Sequence, residues 1–284
     1  MKKMIIAIGL LASITSQAQI MEVATIERLA ITGDSHTINQ AVAMSPQGDY
    51  LLLTTDGRQG LVKWDITTAQ TTVLTTAVVN SSDVSISDDG RQVHYEEVSY
   101  QGKRRQHAVK SINMETGELK TVTPKGRLQA PIAAGDAARG ERPVLSHHHL
   151  KLYLTRDGVT KQLAPNGEDK RYIWSSLSPD GSKVLYYVSG WGAHVCDLDG
   201  NIVASMGDIT APKWWDDNTI VGMREQDDGY TVTASSIVAH TLDGTEQTLT
   251  GDDVIATHPL PCKRSGKIVF STPSGEIYII GLKR

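Results

Sequence analysis

The sequence predicts an all-β chain folded as a six-bladed β-propeller with four-stranded blades. Three observations carry this. A tight turn recurs at Ser45-Pro46-Gln47-Gly48, Ser87-Asp88-Asp89-Gly90 and Ser178-Pro179-Asp180-Gly181, each time between two short apolar runs. A second turn, at Thr116-Gly117, Asp157-Gly158, Asp199-Gly200 and Asp243-Gly244, joins a later pair of runs. Gly48 and Gly90 stand 42 residues apart, and Gly90 to Gly181 is 91, two periods. Four strands every 40–45 residues or so is the signature of a propeller blade.

Each part of the unit has its own chemistry. Pro179 presets φ for the second position of a type I turn, and Gly181 suits the fourth. After the turn, Val184, Tyr186 and Val188 fall on one face of a strand, with Leu185 and Tyr187 on the other. A weaker copy of the turn is Trp215-Asp216-Asp217-Asn218, where Asn replaces Gly. Another lies around Gly266. The most degraded copy runs from Gln129 to Ser146. The blades are expected near 38–76, 77–124, 125–167, 168–208, 209–251 and 252–284. The last lacks a fourth strand before the chain stops. Residues 22–32 resemble the fourth strands of other blades, so the N-terminal strand is expected to complete the last blade and close the ring.

The repeated "SPDG" turn with its apolar strand and Asp-Gly or Thr-Gly hairpins resembles the WD-repeat-like propeller repeat of the TolB family, whose namesake is periplasmic. The resemblance covers essentially the whole mature chain and is weakest in the third blade. It implies the propeller alone. TolB carries an additional N-terminal α/β domain for which there is no room here, and a role in the Tol system is not implied.

The first residues read as a leader. Lys2 and Lys3 precede an apolar stretch from Met4 to about Thr15, and Ser16-Gln17-Ala18 offers small residues at a cleavage site. Residues 1–18 are therefore expected to be a signal peptide, with the mature protein periplasmic or secreted. No Cys follows the site to take a lipid, and no second long apolar run follows to span a membrane. Removing Lys2 and Lys3 takes the formal net charge from −4 to −6. That balance offers no basic surface for nucleic acid. The two cysteines, Cys196 and Cys262, fall in blades four and six. Non-adjacent blades are too far apart for a disulfide, so two free thiols are expected.

Several stretches invite a chemical reading. Gly33-Asp34-Ser35, followed by His36, resembles the nucleophile block of GDSL-type hydrolases. Their partner Asp-x-x-His block is missing, since Asp253 and His258 are five apart, and the fold differs. His147-His148-His149 lies on a strand, where neighbours alternate faces and at most two can converge on a metal. His194 and Cys196 share a strand face on a blade flank, where ordinary packing accounts for both. His258 lies on the innermost strand of blade six, near the channel. Trp174 precedes an inner strand near the channel mouth; it either fills a gap between blades or anchors a peptide or sugar. Trp214 is placed in the core, and Trp215 at an exposed turn.

The rim loops that enter the inner strands carry His36, Arg127, Arg171, Lys213, Asp252 and Asp253, a mixed-charge set. Loops on a rigid scaffold are where propellers carry binding. The expected ligand-binding residues are His36, Arg127, Arg171, Trp174, Lys213, Trp215 and His258. The expected function is a non-catalytic, monomeric binding module for an envelope protein, peptide or glycan, with no cofactor and no metal. The alternative is a glycan-acting lyase or hydrolase with its site in the channel.

Overall fold

A computed structural model describes residues 19–31, 38–55, 59–122 and 143–283. The regular structure in these segments is almost entirely β, and the chain is a β-propeller. The strands are β1 (Val23–Arg28), β2 (Ile38–Met44), β3 (Tyr50–Thr55), β4 (Gln59–Asp65), β5 (Thr71–Ile86), β6 (Gln92–Gln101), β7 (Arg104–Asn113) and β8 (Leu119–Thr121). There follow β9 (Val144–His148), β10 (Lys151–Arg156), β11 (Val159–Leu163), β12 (Tyr172–Leu177), β13 (Lys183–Val188), β14 (Gly192–Asp197) and β15 (Ile202–Gly207). The last are β16 (Thr210–Trp214), β17 (Thr219–Asp227), β18 (Val232–Thr241), β19 (Glu246–Thr248), β20 (Thr257–Cys262), β21 (Lys267–Ser271) and β22 (Ile277–Leu282). Three sheets have four strands, β12 to β15, β16 to β19, and β20-β21-β22-β1. The third-blade region contributes β9, β10 and β11.

The first two units share a strand. β5 is continuous over 16 residues. Its first half pairs with β4 and its second half with β6, giving one seven-stranded sheet from β2 to β8. Thr71 to Ile86 contains neither Gly nor Pro, and the strand runs on through Asn80-Ser81-Ser82-Asp83, where its pairing with β6 is irregular between Asn80 and Ser85.

The alternation along each second strand has a packing consequence. Val184, Tyr186 and Val188 join Leu152 and Leu154 in one core cluster. Leu185, between them in sequence, joins Ile220 and Val238 in another. Likewise Leu51 and Leu53 pack with Val269, while Tyr50 and Leu52 pack with Val93 and Tyr95. Val221 and Met223 face Ile268 and Phe270. These sheets are thus buried on both faces, and their strand periodicity deals side chains alternately to two neighbours. Burying a side chain of this size stabilises the fold by about 1.5–3 kcal/mol. The core is a series of wedges between sheets.

The first strand completes the last sheet. β1 pairs antiparallel with β22, Ile26 opposite Ile280. Ahead of it Met21 is buried among Val221, Ile268 and Phe270. The Gln247 side-chain oxygen accepts the backbone N–H of Ile20 at 2.7 Å and of Met21 at 2.8 Å.

The recurring Ser has a mechanical reason. In each full copy its hydroxyl accepts a backbone N–H five residues on, closing the turn: Tyr50 to Ser45 at 3.2 Å, Gln92 to Ser87 at 2.8 Å and Lys183 to Ser178 at 2.9 Å. The turns also join into a belt at one end of the strands. The Asp180 N–H donates to Asp217 at 2.8 Å, Lys263 reaches Asp216 at 2.8 Å, the Cys262 thiol meets the Pro46 carbonyl at 3.3 Å, and the Tyr50 hydroxyl donates to the Gly90 carbonyl at 2.9 Å.

Candidate functional site

Three successive innermost strands bring together Trp174 (β12) and His258 (β20), each near the start of its strand, and Lys213 (β16), which lies two residues ahead of the Trp215 turn and reaches Trp174 with its long side chain. Each strand carries a register shift that re-aims its side chains: between Tyr172 and Trp174, between Thr210 and Lys213, and between Thr257 and Leu260. In the last two, Ala211 and His258 hold left-handed backbone, φ 45° and 53°. A β-bulge explains why non-glycine residues tolerate it.

The Lys213 ammonium lies over the Trp174 ring, 4.9 Å from its centroid. Protein closely surrounds it, and burial lowers its pKa below the ordinary 10.5. Among the described residues no carboxylate forms an ion pair with it. Trp174 itself is half-buried and packs against the cluster around Leu185 and Ile220.

His258 is exposed as a residue, while protein surrounds its ring closely enough to shift its titration. Its backbone N–H donates to the Met223 sulfur at 3.3 Å. Burial lowers its imidazole pKa below 6.5; Glu225 on β17 pushes the other way, and Lys213 lowers it further. The ring is therefore neutral at neutral pH. Glu225 also acts on Tyr187, the β13 residue paired with Trp174, whose phenol is pushed up mainly by burial. One indole face, one ammonium, one neutral imidazole and one carboxylate thus meet at this mouth. The set suits an anionic group beside a flat or apolar one.

The same end of blade four presents two exposed apolar residues, Ile173 at 49% and Trp191 at 54% exposure. Trp191 sits in the β13–β14 turn, and the Lys170 ammonium lies 4.1 Å from its ring centroid. Arg171 is exposed just ahead of β12. Trp191 and Glu225 are not in the sequence-predicted set. Trp191 had a signal: flanked by Gly190 and Gly192 in a hairpin turn, it has no strand face to pack on. Glu225 had none, because it becomes relevant only through its neighbour's His258.

The other expected residues are placed differently. His36 and Arg127 lie outside the described residues, as does Gly33-Asp34-Ser35. Trp215 is half-buried at the turn end and packs against the cluster of Val221 and Phe270, away from Trp174. Trp214 packs in the neighbouring cluster. His147 is half-buried, while His148 and His149 are exposed and stack edge to face. His194 is buried, hydrogen-bonds Ser205 at 2.9 Å and stacks on Tyr186. Both cysteines are free and buried, and burial pushes the Cys196 thiol up to about 12. Among the described residues no group of three or more His, Cys, Asp or Glu is placed to hold a metal. No helix in them is long and apolar enough to cross a membrane.

No family model and no curated protein matches the sequence. Solved structures do. A TolB-type structure from Agrobacterium tumefaciens matches at TM-score 0.54 and 16% identity, over 91% of this chain and 97% of that one. The tricorn protease matches at TM-score 0.54 and 16% identity, over 85% of this chain and 25% of that one. The β-propeller domain of Myceliophteria thermophila Cps50 (Swd1) matches at TM-score 0.50 and 13% identity, over 93% and 100%. At these identities the likeness shows the fold, and with the sheet order above it makes the chain a β-propeller built like the TolB-like and WD-repeat propellers.

Proposed function

We propose that the chain is an exported binding module whose ligand, an envelope protein, a peptide or a glycan, seats at the channel mouth formed by Trp174, Lys213 and His258. The observation that carries this is the Lys213 ammonium, enclosed by protein with an indole face as its one partner among the described residues. A folded chain gains nothing by enclosing a charge in that way, so a ligand is the natural beneficiary. Ile173 and Trp191 extend the seat with exposed apolar surface, the pattern of an anchoring patch beside polar contacts. Export rests on the leader read in residues 1–18.

The test is capture from the native envelope by the tagged mature protein. Wild type should recover one stoichiometric partner or glycan, and Trp174→Ala should lose it without a fall in melting temperature. Equal recovery by both would remove the seat from the channel mouth; loss of folding in the variant would make Trp174 a core residue.

One observation favours a second reading. A neutral His258 near Glu225 and a lysine of lowered pKa are groups able to take a proton. A glycan-acting lyase or hydrolase would use them so, and turnover of an envelope glycan lost in His258→Gln would decide for it.

A further inference from the structure

We infer that the group received at this mouth is a carboxylate, seated on the Lys213 ammonium against the Trp174 ring. The inference rests on the proposed binding role and specifies its ligand chemistry.

The argument starts from what surrounds the charge. Elsewhere the half-buried Arg224 makes a two-pronged bridge to Glu246 at 2.7 and 2.6 Å, and the exposed Lys263 meets Asp216 at 2.8 Å. Lys213 is more enclosed than either and has only a ring face. A ring face offsets part of the lost hydration of an ammonium, and leaves its N–H donors on the open side unused. A carboxylate arriving from the channel would accept them, and in that dry setting a charge-assisted bond is strong. His258, neutral and adjacent, adds a hydrogen-bonding ring without adding a repelling charge. Glu225 stands close enough to disfavour a second anion, so the site suits one carboxylate rather than a phosphate dianion. The Trp174 face and exposed Ile173 ask that this carboxylate be attached to something flat or apolar.

The probe pair is N-acetyl-phenylalanine and its uncharged amide, measured by calorimetry on the mature protein, with inorganic phosphate as a third arm. The acid should bind at least tenfold more tightly than either the amide or phosphate. Lys213→Met should abolish the preference, and Lys213→Arg should keep part of it. Acid and amide binding alike, no acid binding, tighter phosphate binding, or an unchanged preference in Lys213→Met would each overturn the inference. If Trp174-dependent envelope capture persists in any of those cases, only the carboxylate assignment fails. If the acid binds as stated and capture is independent of Trp174, the binding-module reading fails instead.

Discussion

The ammonium of Lys213 stands 4.9 Å from the ring centre of Trp174, on the neighbouring innermost strand. The contact crosses the boundary between two sheets and faces the channel. It joins the packing logic of the fold to its candidate chemistry, because the same wedge that buries Leu185 and Ile220 sets the indole under the cation.

Lys213 carries a pH signature. Burial holds its pKa below 10.5, so below that value the unfolded chain binds more protons than the folded one. The penalty for enclosing a charged Lys213 is then largest at low pH and fades as pH rises toward 10.5. Glu225 and His258 face the same space, and the His258 ring, held below 6.5 by burial, is neutral over the upper part of this range. Lys213→Met should be at least as stable as wild type, with its advantage greatest near pH 6 and smallest near pH 10. Urea titrations at the two pH values read this directly. A variant less stable at pH 6 than at pH 10, each relative to wild type, would show that the ammonium is well solvated.

The Ser of the recurring turn should matter in proportion to its bonds. Ser178 is buried, accepts the Lys183 N–H and donates to Asp180 at 2.5 Å. Ser178→Ala should cost about 1–2 kcal/mol. The Ser178 hydroxyl, followed by the Ser182 N–H and hydroxyl, holds the Asp180 carboxyl well below its ordinary 3.8. A depressed carboxylate contributes stability that is present above 3.8 and lost as pH falls below it. The gap between wild type and Ser178→Ala should therefore narrow from pH 7 to pH 3. A gap that is constant with pH would remove Asp180 from the account.

Two glycines in one hairpin should behave differently. Gly190 and Gly192 both have positive φ, 75° and 87°. A Cβ on Gly190 meets nothing within 4 Å, whereas on Gly192 it would stand 1.9 Å from the Gly207 carbonyl oxygen. Gly190→Ala should cost about 1 kcal/mol for backbone conformation. Gly192→Ala should cost at least about 3 kcal/mol, since backbone must also move. Thermal melts of the pair check the ranking.

The thiols should be silent in the folded chain. Cys196 is fully buried and its thiol is pushed up to about 12, and Cys262 is engaged with the Pro46 carbonyl. A thiol reagent at pH 8 should label neither natively and both in 6 M guanidinium or so. Rapid native labelling of Cys196 would mean that its wedge opens.

Much of the fold was legible because its unit repeats. Turn residues with a fixed conformational role, such as Pro179 and Gly181, recur between runs whose alternation serves two neighbours at once. The closing pairing of Ile26 with Ile280 was legible from the missing fourth strand of the last unit. The continuity of β5 was not, since Asn80-Ser81-Ser82-Asp83 reads as a break between strands. For the site, Trp174, Lys213 and His258 stood out singly through residue type and position. Their meeting depends on register shifts in three strands, and a bulge has no composition of its own. Trp215 shows the converse. Its place at a turn suggested exposure, but the neighbouring sheet lays Phe270 and its cluster beside it.

The measurement that bears most directly on the channel-mouth seat is hydrogen exchange of the captured complex against the free protein. The account predicts slowed exchange at 172–175, 211–214 and 256–260, with the turn belt around Ser45, Ser87 and Ser178 unchanged. Slowing confined to the belt or to the outer strands, with those three segments unaffected, would contradict it.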